Sequence, residues 1–227
     1  MTVEQPVGPR RNGRFALCVA AFGLCITACG GSEQSATAAS YHRSALNAYG
    51  DGRFDDAVAE LTQALALEPT RADLLDARAS AYLAANRPAE ALADMESAVA
   101  INPNNAAYLS NRAQVYRRFG RDDNALVDLT RAIELDSSLV AAWFNRGSLY
   151  YERAEFARAL ADFDESIRLD PTNAPPYFNR AGSRMALGSV DSAKADLNAF
   201  LLLSTNEEWK ATARRLMEDW DSLPTVP

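Results

Sequence analysis

The stretch Trp143-Phe144-Asn145-Arg146-Gly147-Ser148-Leu149-Tyr150 has a partial copy 34 residues earlier, Asn111-Arg112-Ala113 with Tyr116, and another 34 residues later, Phe178-Asn179-Arg180-Ala181. Working outward, the same interval links Ala45, Ala79, Ala113, Gly147 and Ala181, and links Ala57, Ala91, Ala125, Ala159 and Ala193 twelve residues further on. A third column, Ala64, Ala98, Ala132 and Ser166, ends in the much larger Phe200. A short unit repeated at a fixed period cannot bury its own apolar face, so its copies must stack around one shared core. Small side chains at fixed points let the stacked elements approach closely.

Within a unit, Leu109, Ala113 and Tyr116 fall at i, i+4 and i+7, and Ala125, Leu129 and Ala132 repeat that spacing. Both patterns are amphipathic helices. Larger fillers keep the register: Tyr82, Tyr116 and Tyr150 in one column, and Leu61, Met95, Leu129, Phe163 and Leu197 in another. Gly52, Asn86, Gly120 and Gly188 stand where the two helices of a unit must turn. Pro69, Pro103 and Pro171 break the second helix, with Ser137 and Thr205 as polar substitutes in the other two units.

This pattern resembles the tetratricopeptide repeat (TPR) family, whose helix-turn-helix units carry small residues at their eighth and twentieth positions and proline at the thirty-second. Five units fit, 38–71, 72–105, 106–139, 140–173 and 174–207. The resemblance implies an all-α, right-handed superhelical solenoid. A capping helix is expected over 208–222, from Trp209, Ala213, Leu216 and Trp220 at helical spacing, with Thr205 and Glu208 in the form of a capping box. Residues 223–227, Leu-Pro-Thr-Val-Pro, read as a disordered tail.

The first 28 residues differ in kind. Arg10, Arg11 and Arg14 precede an apolar run from Phe15 to Ala28, the layout of a secretory signal and short for a membrane span. The run ends in Ile26-Thr27-Ala28-Cys29, which resembles the lipobox of bacterial lipoproteins. That resemblance implies removal of residues 1–28 and lipidation of Cys29, and Gly30, in place of a retaining aspartate, implies an outer-membrane destination facing the periplasm. Residues 29–37 are expected to be a flexible tether. Cys18, Cys25 and Cys29 are the only cysteines, so the repeats carry no disulfide framework. Loss of the leader removes three arginines and one glutamate and moves the net charge from −7 to −9. So acidic a body is unsuited to nucleic acid and favours proteins or peptides as partners.

Two charged columns accompany the repeat. Arg78, Arg112, Arg146 and Arg180 stand sixteen residues before Asp94, Asp128, Asp162 and Asp196, a spacing that predicts structural ion pairs between helices. One position before the last three arginines come Asn111, Asn145 and Asn179. In the TPR family that position faces the concave groove, and in the repeats of O-linked N-acetylglucosamine transferases its asparagines bind a peptide backbone. An amide both donates and accepts, so it pairs with a peptide unit whatever its side chain. Phe144, Phe178, Tyr151, Gln114, Ser148 and Arg117 are expected beside them in the groove. Chaperone-tail recognition is not expected, because Asp73, Ala107, Ala141 and Pro175 occupy the position where that clamp needs lysine.

His42 is the only histidine, and there is no phosphate-cradling glycine loop. No catalytic residue, metal or cofactor is expected. The reading is a monomeric, lipid-anchored adaptor that binds an extended segment or helix of envelope proteins, with a self-associating structural lipoprotein as the alternative. A carboxylate-based hydrolase is a more distant one.

Overall fold

In the computed structural model, which describes residues 20–221 and their side chains from Ser32 onward, eleven helices follow one another and no strand occurs among the described residues. They are α1 (Ala20–Gly50), α2 (Phe54–Leu67), α3 (Ala72–Ala84), α4 (Pro88–Ile101), α5 (Ala106–Arg118), α6 (Asp122–Leu135), α7 (Val140–Glu152), α8 (Phe156–Leu169), α9 (Ala174–Ala186), α10 (Val190–Leu203) and α11 (Glu207–Asp221). From α3 to α10 the first and second helices of every unit begin in the 34-residue register.

The small columns are what the helices close upon. Ala57, Ala91, Ala125, Ala159 and Ala193 are fully buried, as are Ala64, Ala98, Ala132 and Ser166. Gly147 takes the tightest place: a methyl group there would lie 2.8 Å from the Phe163 ring. The core runs on from the first unit through the fourth, because Tyr108 packs on both the first and second groups of buried residues and Leu126 on both the second and the group around Phe163. Phe200 closes the small column at the last unit, where the following element is the cap. Its ring meets Phe178 edge-on at 5.2 Å, and Trp209 of α11 meets the same Phe178 at 5.1 Å.

Helix ends follow the turn residues. Gly52, Gly120 and Gly188 have φ of 75°, 64° and 80°, Asn86 has 58°, and the fourth unit puts Ala154 in the same left-handed conformation at 59°. The second helices stop two residues before Pro69, Pro103 and Pro171, and equally before Ser137 and Thr205. At Ser137 the turn is held by Asp136, whose carboxylate accepts from the Ser138 backbone and hydroxyl. Trp143 then donates its indole N–H to the Ser137 carbonyl at 2.9 Å.

Three expectations change. The segment assigned to a flexible tether, 29–37, lies within α1, a helix of 31 residues. Its Glu33, Gln34 and single alanine, Ala36, propagate a helix whose packed portion, from Ala38, has already met the cost of nucleation. The cap begins at Glu207 rather than 208, and its N-cap is Asn206, not Thr205: the Asn206 side chain accepts from the Trp209 N–H at 3.0 Å. Cys29 lies on the α1 backbone. The expected leader up to residue 19, with Cys18, and the expected tail 223–227 fall outside the described residues. No helix of the described residues is long and apolar enough to cross a membrane.

Candidate functional site: the inner face of the first helices

The first helices of neighbouring units touch one another, α3 with α5, α5 with α7 and α7 with α9, in addition to their contacts within and between units. A stack curves toward the side on which its elements lie closer, so this row is the inner one. Its surface away from the second helices forms the groove, and Asn111, Asn145 and Asn179 stand on it one unit apart.

The asparagines are not equivalent. Asn111 donates its amide N–H to Asp76 on the preceding inner helix at 2.8 Å. Asn179 reaches the buried Ser148 hydroxyl at 3.3 Å, and that hydroxyl donates in turn to the Phe144 carbonyl. Asn145 instead opens on a polar hollow of about 510 Å³ lined by Gln114, Arg117, Arg118, Asp122 and Glu152. Arg117 crosses this hollow to pair with Glu152. Two rungs of the expected ladder thus splint adjacent units, each with its carbonyl oxygen and one N–H still unused by these bonds, while Asn145 has both groups available.

The aromatic residues divide similarly. Phe144 is half-buried and packs on Phe163 with ring centres 6.1 Å apart, and Phe178 is wedged against Phe200 and Trp209, so both are partly consumed by the core. Tyr151 stays exposed, its ring edge-on to Phe156 at 5.6 Å and its hydroxyl over Gly182, where a methyl group would lie 2.8 Å away. Tyr151, Phe178, Gly182 and Met185 combine with Leu216 and Trp220 of α11 into an apolar pocket of about 310 Å³. The sequence reading treated Leu216 and Trp220 as cap residues alone, and it missed Gly182, Met185 and Asp76. The signal available was the variation of one inner-face column, His42, Asp76, Ser110, Phe144, Phe178, which changes from polar to aromatic along the array.

Asp76 has an electrostatic peculiarity. Burial pushes its carboxyl pKa up, the Asn111 hydrogen bond partly opposes this, and the nearby Asp73 charge adds to the rise. The Tyr108 phenol is raised too, first by burial and then by Asp76 and Asp73. Among the described residues no cation lies within ion-pair distance of Asp76.

The arginine column sits elsewhere. Arg78, Arg112, Arg146 and Arg180 each hold the aspartate sixteen residues on through two hydrogen bonds of 2.6 to 3.0 Å, and the aspartates are buried. The same guanidinium reaches back to the second helix of the preceding unit: Arg78 to Thr62, Arg146 to Thr130 and Arg180 to Asp164. Each also lies over an aromatic ring of its own helix, such as Tyr82 or Tyr116. Guanidinium groups so enclosed form no anion-binding stripe. Among the described residues no three His, Cys, Asp or Glu side chains converge to hold a metal ion.

Three tetratricopeptide repeat models match the chain, over residues 48–115, 106–139 and 140–173, a contiguous run over more than half its length. The chain belongs to the tetratricopeptide repeat family. Solved TPR structures share its fold. PilF of Pseudomonas aeruginosa superposes with a TM-score of 0.72 at 21% identity, covering 85% of this chain and 88% of that one. YrrB, described as a TPR protein with an unusual peptide-binding site, gives 0.60 at 20%, covering 87% and 100%. MamA gives 0.61 at 20%, covering 84% and 98%. Among proteins with curated functions none matches the chain. The protein is a TPR scaffold, an architecture that serves protein–protein interaction.

Proposed function

We propose that this TPR protein is an adaptor whose inner groove holds an extended segment or helix of a partner protein, against the peptide-reading amides of Asn111, Asn145 and Asn179. The observation that carries this reading is the continuous inner row from α3 to α9, with the amide of Asn145 and the unused amide groups of its two neighbours facing one groove. We place the adaptor in the bacterial cell envelope, anchored by lipid at Cys29 and most simply on the periplasmic side of an outer membrane. The lipobox-like Ile26-Thr27-Ala28-Cys29 supports that placement.

Affinity capture from envelope extract, with the wild type beside Asn111→Ala/Asn145→Ala/Asn179→Ala, tests the groove. Partners should be lost from the triple variant and weakened by Asn145→Ala alone, which breaks no bond between units and should unfold close to wild type, and retention of every partner would show the groove assignment to be wrong. For the anchor, Cys29→Ser should abolish incorporation of a palmitate analogue and move the protein to the soluble fraction. Unchanged labelling would refute the lipid site.

A further inference from the structure

The asparagines leave two features of the inner face unexplained. Toward the N-terminal side, Asp76 is a half-buried carboxylate whose one hydrogen bond comes from the Asn111 amide. The arginines that flank it in sequence are committed, Arg71 to Glu68 and Asp73, and Arg78 to Asp94. A carboxylate desolvated without a cation is costly, and an incoming ammonium or guanidinium offsets that cost through a charge-assisted hydrogen bond. At the C-terminal side lies the pocket of about 310 Å³, mostly apolar, with the amide of Asn179 and the polar ends of Tyr151 and Trp220 in its lining. That volume is at the small end for ligand sites and suits one large side chain.

The two features are the ends of one track. Packed helices lie about 8–10 Å apart, so the three steps from α3 to α9 cover roughly 24–30 Å, about seven to nine residues of extended chain. Gln114 and Asn145 lie between them on α5 and α7. We infer that the groove selects an extended partner segment with a lysine or arginine on Asp76 and, about seven to nine residues away, a large apolar side chain in the Tyr151–Trp220 pocket. This rests on the groove reading above and adds the chemistry of the partner.

Panning displayed random dodecapeptides against the full chain in detergent tests it. The expected selection pairs a basic residue with Leu, Met, Phe or Trp at that spacing. Asp76→Asn keeps an acceptor for Asn111 and should weaken selected peptides about tenfold, with the basic preference lost and the apolar one kept. Gly182→Val, whose side chain would collide with the Tyr151 ring in the lining of the pocket, should remove the apolar preference alone. Trp220→Ala opens the same pocket without altering the inner helices and serves if the valine variant fails to fold. Peptides enriched without the pair, or with preferences that none of these variants alters, would overturn this inference and leave the groove reading standing. Failure to enrich any peptide would overturn both.

Discussion

Ala154 adopts a conformation that the other units give to glycine or asparagine, at φ 59°. An L-residue with a β-carbon meets its own carbonyl there, at a cost of about 1–2 kcal/mol. Ala154→Gly should therefore raise stability by about 1 kcal/mol, less the extra freedom gained by the unfolded chain, and urea unfolding measures it. Asp76 gives a pH signature. Its folded-state pKa is raised, so the folded protein holds this proton to higher pH than the unfolded chain does. The stability linked to it is fully present below the ordinary carboxylate range and is lost as pH rises through the folded-state pKa. Asp76→Asn should accordingly melt above the wild type at pH 7, with the gap closing toward acid; a gap that widens toward acid would contradict the assigned burial.

At the scale of the element, the arginine–aspartate pairs join the two helices of a unit. Arg146 and Asp162 are largely shielded, with side-chain exposures of 15% and 5%. Asp162→Ala strands the guanidinium and should cost about 3–5 kcal/mol, whereas Arg146→Met with Asp162→Leu should recover most of that loss. Hydrogen exchange should place the damage in α7 and α8. These pairs, the helix periods and the buried columns were legible in the sequence because each is a recurrence of residue type at fixed spacing, which a period exposes directly. Ala154 was not, because alanine carries no mark of a left-handed turn; only its register between Gly120 and Gly188 hinted at one. The helical state of 29–37 was hidden for another reason: Gly30 and Gly31 look like a tether, and the packed helix that extends into them lies downstream. The different fates of Asn111, Asn145 and Asn179 depend on what each meets on the preceding inner helix, which a single column does not show.

For the whole molecule, stability sums over units and the joints between them. The C-terminal joint depends on α11, which covers Phe178 and Phe200 and is pinned by Lys194 to Asp221 at 2.5 Å. Removal of 207–227 should bare these rings, strip hydrogen-exchange protection from α9 and α10 first, and shift the truncated chain toward oligomers in sedimentation, while α3 to α8 stay protected. The same helix supplies Leu216 and Trp220 to the apolar pocket, so the truncation removes one end of the binding track along with the cap.

Because Arg78, Arg146 and Arg180 each reach two second helices, three of the four rivets carry load across a joint as well as within a unit. The first unit has Ser44 and Glu60 in place of such a rivet. Under tension the array is a chain whose first unit is a soft link, next to the segment that bears Cys29. A pull transmitted through that end would be met first by yielding of α1 and α2, leaving the three asparagines, and whatever they hold, in register.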